Sequence, residues 1–517
     1  MGTRDSVAHA RVRRTPLAGC LSAVLAIGSI APAPAATPAE NLLHRQTAGL
    51  APLFEKLGRR AAAVRATRHG TRRPQGGIVI PVTSCADDGA MDTLRHAVLI
   101  ASSGDTVDLG GLACSTITLA AGAIGIDVDD LAIEGPGASR LTIDAGHASR
   151  IFRHGGAGTL QITNLTVANG SYSPPTGPFG GACIYSAATV SMTGAVATGC
   201  TASAEGTIAG GAVLALDSLI MFGSAITDSQ VTSTSGYSGV AAAGGAAFAQ
   251  QEIVFEHSII SGNSAGAPLG NVYAGGLATM NVIAKYSTVH GNTATTVTGA
   301  SYYAVGGGLF ATQNVLVEYS TFDGNTADGG GGVLLRTSPG YAQTFRNTTL
   351  SGNHANILAG AMLVQSDITI ENSTIAFNTG GTAGGGGVIV EGTTAELQST
   401  IIADNSPSAT MAAADLDGSA AVTGANNLVK VSGITMPPDT ITTDPQLGPL
   451  AANGGQTRTH ALPQASVAID VGNNAAGALF DQRGPGFPRG VGALPDIGAF
   501  ELDTDVIFDD GFDAGGG

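Results

Sequence analysis

The sequence predicts an all-β fold, a right-handed parallel β-helix (solenoid) with an N-terminal cap and an irregular C-terminal cap. Pairs of glycines return about every 30 residues through the middle of the chain, and such a fixed period is typical of stacked repeat units. The apolar runs between the pairs are short and β-branched, which favours strands, whereas the Ser, Thr, Asn and Gly content disfavours helices. Two or three short strands per coil fit this period, which is too short for a propeller blade. The pairs begin at Gly180, Gly210, Gly244, Gly275, Gly307, Gly331 and Gly386.

Alignment of the repeats reveals two adjacent columns of opposite character. Successive side chains of a strand point to opposite faces, so one column is predicted to face solvent and the other to lie in the core. Opposite charges stacked on neighbouring strands also avoid the penalty of like-charge pairs. The predicted outward charge ladder is Glu256, Lys285, Glu318, Arg346, Glu371 and Gln398. The predicted core column is Phe255, Ala284, Val317, Phe345, Ile370 and Leu397.

A third column consists of asparagines that follow the Ser/Thr clusters of the repeats. Asparagine tolerates the left-handed backbone conformation and bonds to turn backbones, so a stacked structural ladder at a corner of the coil is predicted. A ligand-binding role for these side chains is the weaker alternative. The members are Asn263, Asn292, Asn325, Asn353, Asn378 and Asn405.

The N-terminal part of the chain predicts export. Residues 1–36 have the pattern of a secretory signal peptide, in which arginines precede an apolar run that ends near Ile30 and small residues follow. Residues 37–76 are predicted to be a basic pro-segment or linker. Within them, residues 41–68 are predicted to form either a weak amphipathic helix or a disordered segment.

The charge distribution limits the classes of partner. Residues 1–73 hold 12 Lys or Arg and 3 Asp or Glu, out of 23 basic and 39 acidic residues in the chain, so the remainder has a balance of −25. An acidic body argues against nucleic acid and against anionic membranes as partners. After the predicted signal peptide, no stretch reaches the ~18 apolar residues of a membrane-spanning helix.

Four cysteines follow the predicted signal peptide: Cys85, Cys114, Cys183 and Cys200. An even number in an exported chain predicts disulfides. Pairing of sequence neighbours gives Cys85–Cys114 and Cys183–Cys200, although four cysteines allow three pairings. Metal ligation is not favoured, because no Cys-x-x-Cys or His–Cys cluster accompanies them.

Residues 77–430 are predicted to form the parallel β-helix together with its N-terminal cap. A strand at Ile78–Ile80 and a short helix at Thr93–Val98 open this region. Residues 77–170 resemble the opening of secreted bacterial β-helix proteins with the pectin-lyase-like fold. The glycine-pair and apolar-x-x-Asn repeats resemble those of polymorphic outer-membrane proteins.

Residues 431–503 carry the most specific motifs of the chain. Their ordered set resembles the choice-of-anchor Q domain, which is found at the end of β-helix proteins displayed on or released from bacterial surfaces. The resemblance implies a secreted or cell-surface location (outer membrane or extracellular), and it implies no reaction. Residues 504–517 form an acidic tail that is predicted to be either a sorting tag or a frayed terminus. The motifs are Asp444–Leu450, Asn453–Thr457, His460, Ala468–Asp470, Asp481–Gly484 and Asp496–Glu501.

The resemblance to the pectin-lyase-like fold implies one enzymatic alternative, a polysaccharide lyase or glycoside hydrolase. Hydrolases of glycosidic bonds need paired carboxylates, whereas the acids of these repeats occur singly. The chain has no Trp for sugar stacking, and the tyrosines at 172, 237, 302 and 303 are the candidate substitutes. A Ca²⁺ site is an alternative that no EF-hand or nonapeptide repeat supports. No catalytic, cofactor-binding or metal-binding residue is therefore predicted.

Asp481, Arg483 and Asp496 remain chemically suggestive. Their favoured interpretation is an Asp–Arg pair that pins the C-terminal region, and the alternative is a reactive site. The sequence thus predicts an exported β-helix protein that is adhesin-like or binds glycans or other surfaces without catalysis. Its predicted partners are a polysaccharide or cell-surface ligand and the bacterial export machinery.

Overall fold

A computed structural model describes residues 77–503, apart from 176, 178, 235, 298–302, 338–339, 382–384 and 408–414. These residues form a parallel β-solenoid of about 11 turns, which confirms the predicted all-β, parallel β-helix fold. A full coil passes through four sheets, so the expectation of two or three strands per coil is wrong. Very short corners divide the coil: only two residues separate the strand Val213–Ala215 from the strand Ser218–Phe222. The predicted segments 1–36, 37–76 and 504–517 lie outside the described residues.

The four sheets are numbered here in the order in which a coil meets them after its glycine pair. Sheet 1 contains Ile124–Ile126, Phe152–His154, Ile184–Ser186, Val213–Ala215, Ala247–Ala249, Leu277–Thr279, Leu309–Ala311, Val333–Leu335, Met362–Val364, Val388–Val390 and Leu416–Gly418. Sheet 2 contains Val79–Pro81, Asp105–Asp108, Leu131–Glu134, Thr159–Thr163, Thr189–Thr193, Ser218–Phe222, Glu252–Glu256, Asn281–Lys285, Val315–Glu318, Gln343–Arg346, Ile368–Glu371, Thr394–Gln398 and Ala421–Ala425. Sheet 3 contains Thr116–Thr118, Thr142–Asp144, Thr166–Ala168, Val196–Thr198, Ala225–Thr227, Ile259–Ser261, Thr288–His290, Thr321–Asp323, Thr349–Ser351, Thr374–Ala376, Ile401–Ala403 and Leu428–Val429. Sheet 4 contains Ser171–Tyr172, Thr201–Ala204, Ile208–Ala209, Gln230–Ser233, Gly236–Ala243, Ser264–Ala267, Leu269–Tyr273, Thr293–Thr296, Ala304–Val305, Thr326–Gly329, His354–Leu358, Thr379–Gly380 and Ser406–Pro407.

Alternation along each strand fills the interior of the solenoid. In the strand Thr189–Thr193, Val190 and Met192 are fully buried in the core, while the three residues between and beside them point outward. The predicted core column behaves in the same way, since all six of its members are at most 1% exposed. Stacking of coils therefore joins the inward residues into one continuous apolar core.

The recurring glycine pair forms the tight turn that leads into sheet 1. Gly244 has a left-handed backbone with φ of 66°, which glycine adopts without a side-chain penalty. At Gly245 a Cβ atom would lie 2.1 Å from the carbonyl oxygen of Gly275 in the next coil. A side chain is thus excluded where successive coils touch, which explains why a glycine returns at the position of Gly245 in each middle coil. The preceding left-handed position is less strict, since Ala274 and Ala359 occupy it in two other coils.

A helix at Leu94–Ile100 belongs to the N-terminal cap, and its N-cap residue is Thr93. The buried carboxylate of Asp87 accepts from Arg95 Nε at 2.7 Å and from the backbone N–H groups of Ala120 and Ala121 at 2.7 and 2.9 Å. This acid is therefore fully used in holding the cap together. Within the described part of the chain, no helix is both long and apolar enough to span a bilayer.

A second apolar cluster lies outside the main core, against the outer face of sheet 1. The middle coils contribute two strands each to sheet 4, and the second of these strands covers this face. The ring centroid of Tyr273 lies 4.6 Å from that of Phe310. The covered column is in register from coil to coil and includes Leu214, Phe248 and Leu334. The middle coils are thereby thickened into two packed layers on this side.

Both predicted disulfides are present, Cys85–Cys114 and Cys183–Cys200. The first fastens the cap region, where both cysteines pack against the main core. The second is fully buried and closes a loop across a sequence separation of 17. The neighbour pairing is therefore the correct one of the three that the sequence allowed.

The C-terminal region closes the last coils and then runs back along the outside of sheet 3. Ile441 accepts a backbone hydrogen bond from Val429, the last residue of sheet 3, at 2.9 Å. Residues 444–502, which we call the C-terminal clamp, contain the short antiparallel strands Leu450–Ala451 and Thr459–His460. An apolar cluster joins the clamp to the last coils and consists of Ile401, Ala403, Leu428, Leu462, Ala468, Ile497 and Phe500. The region is thus irregular, as predicted, but it covers a side of the solenoid as well as its end.

Candidate functional site

A groove of about 420 Å³ opens beside sheet 1 in the N-terminal third of the solenoid. The strand Phe152–His154 and the residues before it form one wall, and the strand Ser171–Tyr172 begins the other. Two arginines and the hydroxyls of three serines and one tyrosine contribute to its surface. The lining residues are Ala123, Ala148, Ser149, Arg150, Arg153, Ser171, Tyr172, Ser173 and Pro174.

Arg150 is the buried cation of this groove, with 8% of its surface exposed. One terminal nitrogen donates to the carbonyl oxygens of Phe179 and Gly180, at 2.8 and 2.6 Å. The guanidinium carbon lies 3.2 Å from the ring centroid of Tyr172, a cation–π contact. Burial lowers the pKa of Arg150, yet a guanidinium stays protonated in proteins. Its Nε has no hydrogen-bond partner among the described residues, so the wall holds a positive charge with unused donor capacity.

Arg153 is the exposed cation of the groove. Its strand is in register with Gly125 on one side and with Tyr185 on the other. Nothing lies within 4 Å of the place where a Cβ of Gly125 would be, so the surface next to Arg153 is open. Guanidinium groups bind carboxylates and sulfates with two parallel hydrogen bonds. The groove therefore has the donors that an acidic sugar or a similar small anion requires.

The tyrosines proposed from the sequence as sugar-stacking residues have different positions. Tyr172 lines the groove and Tyr303 is exposed. Tyr302 and the side chain of Tyr237 lie outside the described part of the structure. The sequence reasoning missed Arg150 and Arg153; their spacing in a body that is poor in basic residues was the available signal.

The predicted charge ladder is a continuous row on sheet 2 that points away from the core, but it does not face solvent. Arg346 bridges Glu318 at 3.3 Å and Glu371 at 2.6 Å, and Lys285 also pairs with Glu318. Glu256, Glu318 and Glu371 are only 7–9% exposed. The prediction of a solvent ladder is therefore wrong for these residues. The register sets Glu256, Lys285, Glu318, Arg346, Glu371 and Gln398 side by side.

The C-terminal clamp is one physical reason for this burial. It packs along the corner that directly follows the ladder, where Gln456 contacts the ring of His257 and Asn473 donates to Gln398 at 3.2 Å. The ring of His257 in turn stacks on that of Tyr286, with centroids 5.1 Å apart. The ladder is thus an ion-paired row beside an interface rather than a surface for a ligand.

The six predicted asparagines stack at the corner between sheets 3 and 4 and are at most 4% exposed. The Oδ1 atom of Asn325 accepts from both the backbone N–H and the Nδ2 of Asn292, at 3.0 Å each. The same arrangement links Asn263, Asn292, Asn325, Asn353, Asn378 and Asn405, and Asp415 ends the row. The left-handed conformation falls on the preceding residue, such as Gly324, and not on the asparagine itself. The side-chain amides of the ladder therefore make structural hydrogen bonds within the solenoid.

Gln482 is the central contact between the clamp and sheet 3, and it is fully buried. Its Oε1 accepts from Thr349 Oγ1 at 2.6 Å, and its Nε2 donates to the hydroxyls of Thr321 and Thr457 at 2.9 and 3.0 Å. The threonines on the outer face of sheet 3 thus receive the clamp through side-chain hydrogen bonds. The outer threonines of sheet 3 at these positions are therefore occupied by a segment of the same chain.

Asp481 and Arg483 form a buried pair at 2.6 Å, as the structural interpretation of this motif predicts. The guanidinium lies between two rings, 4.0 Å from Phe487 and 3.9 Å from Phe500, and also donates to the carbonyl oxygen of Glu501 at 2.6 Å. The side chain of Arg483 is 8% exposed and that of Asp481 is 0% exposed, so both partners are buried. The pair therefore braces the clamp from within.

A second buried ionic group lies beside this pair. Arg489 is 1% exposed and donates to the carbonyl oxygens of Asp496 and Gly498 at 2.9 and 2.6 Å. Burial raises the pKa of Glu501 to about 7, although the Arg489 guanidinium 3.8 Å away opposes this shift. Burial raises the pKa of Asp496 as well. Since none of these groups is more than 1% exposed, perturbed acidity here reflects packing rather than access to a substrate.

Acidification is expected to weaken the clamp through His460. Its Nδ1 donates to the Gly448 carbonyl at 2.7 Å, so its Nε2 accepts from Ser351 Oγ at 2.9 Å, which requires a neutral ring. Burial lowers the pKa of His460 below the usual 6.5, so the unfolded state takes up a proton first. The stabilisation is therefore complete above pH 6.5 and is lost as the pH falls from there through the folded pKa.

The measurement is the urea midpoint of clamp release between about pH 5 and pH 8, for the native chain and for His460→Gln. The slope of stability against pH below about 6.5 should flatten in His460→Gln. His354→Gln, at the start of the strand His354–Leu358 in sheet 4, is the control and should keep the native slope. An unchanged slope in His460→Gln would contradict this assignment.

Within the described ranges, no three His, Cys, Asp or Glu side chains are grouped as a metal-ion site would require. No family model matches the chain, and no curated protein matches it. Among solved structures, the chain is similar to the crystal structure of pectate lyase Pel9A, at 12% sequence identity and a TM-score of 0.38. The match covers 82% of this chain and 96% of that chain. The fold stated above rests on the geometry of this chain itself, and the resemblance of residues 431–503 to a choice-of-anchor domain stays a prediction.

Proposed function

We propose that this chain is an exported cell-surface or extracellular β-helix protein that binds acidic glycans and does not cleave them. The observation that carries this proposal is the groove in which buried Arg150 and exposed Arg153 lie beside serine hydroxyls and Tyr172. The body of the protein is strongly acidic, so long-range attraction does not draw anions to it. Recognition would instead depend on contacts at short range, where a guanidinium fork and an aromatic ring select a carboxylated sugar.

Export is supported by three features. Two disulfides fit an oxidising compartment. Residues 1–36 have the pattern of a signal peptide, and residues 431–503 resemble a domain of surface-displayed proteins. In this proposal the solenoid presents the groove at the bacterial surface, and residues 504–517 serve as the sorting tag.

Replacement of Arg153 by alanine is expected to weaken binding of a polygalacturonate oligosaccharide about tenfold or more. A hydrogen bond to a charged group contributes about 1.5–3 kcal/mol, and tenfold in affinity corresponds to about 1.4 kcal/mol. Isothermal titration calorimetry at low salt measures the effect, because exposed charges are screened as ionic strength rises. Arg140→Ala, an exposed arginine that does not line the groove, is the matched control.

Three results would contradict the proposal. Equal affinities for Arg153→Ala and Arg140→Ala would remove the groove from the binding site. Equal binding of a neutral dextran would remove the selectivity for acidic sugars. New reducing ends or unsaturated sugar products would show that the protein is a hydrolase or a lyase, the alternative that the sequence raised.

A further inference from the structure

The outer face of sheet 2 changes character over four successive coils. Its middle column is apolar at Ile220, Val254, Ile283 and Leu316, which are in register with one another. We call these four residues the apolar stripe. The same column is polar in the neighbouring coils on both sides, at Gln161, Ser191, Thr344, Thr369 and Glu396.

The apolar stripe is more deeply buried than its outward position explains. Val254, Ile283 and Leu316 are 4%, 1% and 5% exposed, although they point away from the core. None of them belongs to the three apolar clusters that the described residues form. An aliphatic side chain on the outer face of a sheet is stabilised only when another apolar surface covers it.

Acidic side chains flank the apolar stripe. Glu252 and Glu256 lie two positions before and after Val254 on the same strand, so they share its outer face, and they are 5% and 7% exposed. Glu318 has the corresponding position beside Leu316, but Lys285 and Arg346 already pair with it. A partner for this face therefore needs an apolar side, and the acidic residues beside the apolar stripe favour basic rather than acidic groups on it.

Residues 41–68 of this chain have that chemistry. Leu50, Leu53, Phe54 and Leu57 follow the i, i+3, i+4, i+7 spacing of one apolar helix face. Residues 37–76 hold 8 Lys or Arg and 2 Asp or Glu, whereas residues 74–517 have a balance of −25. Both the apolar and the electrostatic requirements of the sheet face are thus met within the same polypeptide.

The connection is also long enough. Gly77 leads directly into Val79–Pro81, the edge strand of sheet 2, and the apolar stripe begins five strands further along that sheet. Strands are spaced by about 4.8 Å, so this distance is roughly 24 Å. Residues 69–76 span up to about 26 Å when extended, and a helix over residues 41–68 would be about 42 Å long.

We propose that residues 41–68 pack on the apolar stripe as an amphipathic helix, with basic side chains beside Glu252 and Glu256. The basic segment is then an intramolecular cover for sheet 2 and not merely a linker. Proteolytic removal of the segment would uncover an apolar face with an acidic rim. This inference does not depend on glycan binding at the groove.

A single tryptophan reports on this contact, because the chain has none. In the full chain, Phe54→Trp places an indole on the proposed buried side of the segment. Its emission should be blue-shifted, and acrylamide should quench it at least threefold less than the indole of Met91→Trp. Met91 is 84% exposed and lies in the cap, so that variant gives the exposed reference.

The decisive variant adds Val254→Ser, Ile283→Gln and Leu316→Thr to Phe54→Trp. These substitutions introduce residue types that the same column uses in other coils, so the solenoid is expected to fold normally. Quenching should then rise to the level of the Met91→Trp reference. Glu396→Ala, in the same column beyond the apolar stripe, should leave it unchanged.

Charge reversal in the segment keeps the test informative if the triple variant fails to fold. Arg59→Glu, Arg60→Glu and Arg65→Glu leave the solenoid untouched and should also raise quenching of the indole at position 54. The proposal is overturned if that indole is solvent-exposed in the otherwise native chain, or if neither set of substitutions changes its quenching. A blue shift that appears only at high protein concentration would assign the face to a second copy and overturn it as well.

Discussion

Asn325→Ala is expected to lower the free energy of unfolding by about 4 kcal/mol, since each buried group left without a partner costs about 1–3 kcal/mol. In the native ladder, Asn325 Oδ1 accepts two hydrogen bonds from Asn292, and its Nδ2 donates to Val289 O and Asn353 Oδ1 at 2.9 Å each. Alanine leaves the backbone N–H of Asn292 and one hydrogen of its Nδ2 without an acceptor and removes a donor from Val289 O, in a site that water does not reach. Asn353 Oδ1 still accepts from the backbone N–H of residue 325, and Asn292 Nδ2 still donates to Ile260 O.

The loss should be local before it is global, because each coil of a solenoid contacts only its neighbours. Amide hydrogen exchange should therefore accelerate around residues 292–353 more than around residues 131–163. Asn356→Ala is the control, since Asn356 is exposed and its side chain donates to Asp328 Oδ1 at 3.0 Å. If both substitutions lowered the denaturation midpoint equally, the asparagine ladder would not contribute the predicted stabilisation.

Features that depend on contacts between equivalent positions of neighbouring coils could be predicted from the sequence, whereas features that depend on contacts between distant segments could not. The column of asparagines and the alternation of core residues were readable because every coil repeats the same environment one period later. The recurring glycine was readable for the same reason, since Gly211, Gly245 and Gly307 each lie against the carbonyl oxygen of the equivalent glycine in the next coil. Each repeat shows the residue that one structural position requires, so several repeats define that requirement better than a single motif does.

The exposure of the charge ladder was not readable, because it depends on contacts far apart in sequence. Gln456 reaches His257 across 199 positions, and Gln482 reaches Thr321 across 161. No periodicity marks such a contact, and the repeats themselves are the same whether or not another segment covers them. The groove at Arg150 and Arg153 was missed for a related reason, since it forms between elements of different coils.

Contacts between distant segments also make two acids of the C-terminal region different, although each begins a short motif in the sequence. Asp481 is fully buried and accepts from Arg483 and from the backbone N–H of Glu501 at 2.9 Å. Asp444 has a half-exposed side chain and pairs with Lys430 at 2.7 Å. An exposed ion pair contributes about 0–1 kcal/mol, whereas breaking a buried pair costs about 3–5 kcal/mol.

Asp481→Ala is therefore expected to destabilise the clamp by about 3–5 kcal/mol, because it leaves the Arg483 guanidinium buried between two rings without its carboxylate. Limited proteolysis should cut within residues 444–502 much faster than in the native chain, while the solenoid of residues 77–430 stays resistant. Asp444→Ala should change neither rate by more than a few-fold. If Asp481→Ala instead exposed the solenoid and the clamp to protease together, the two would form one cooperative unit, and the clamp would be part of what folds the last coils rather than a cover added to them.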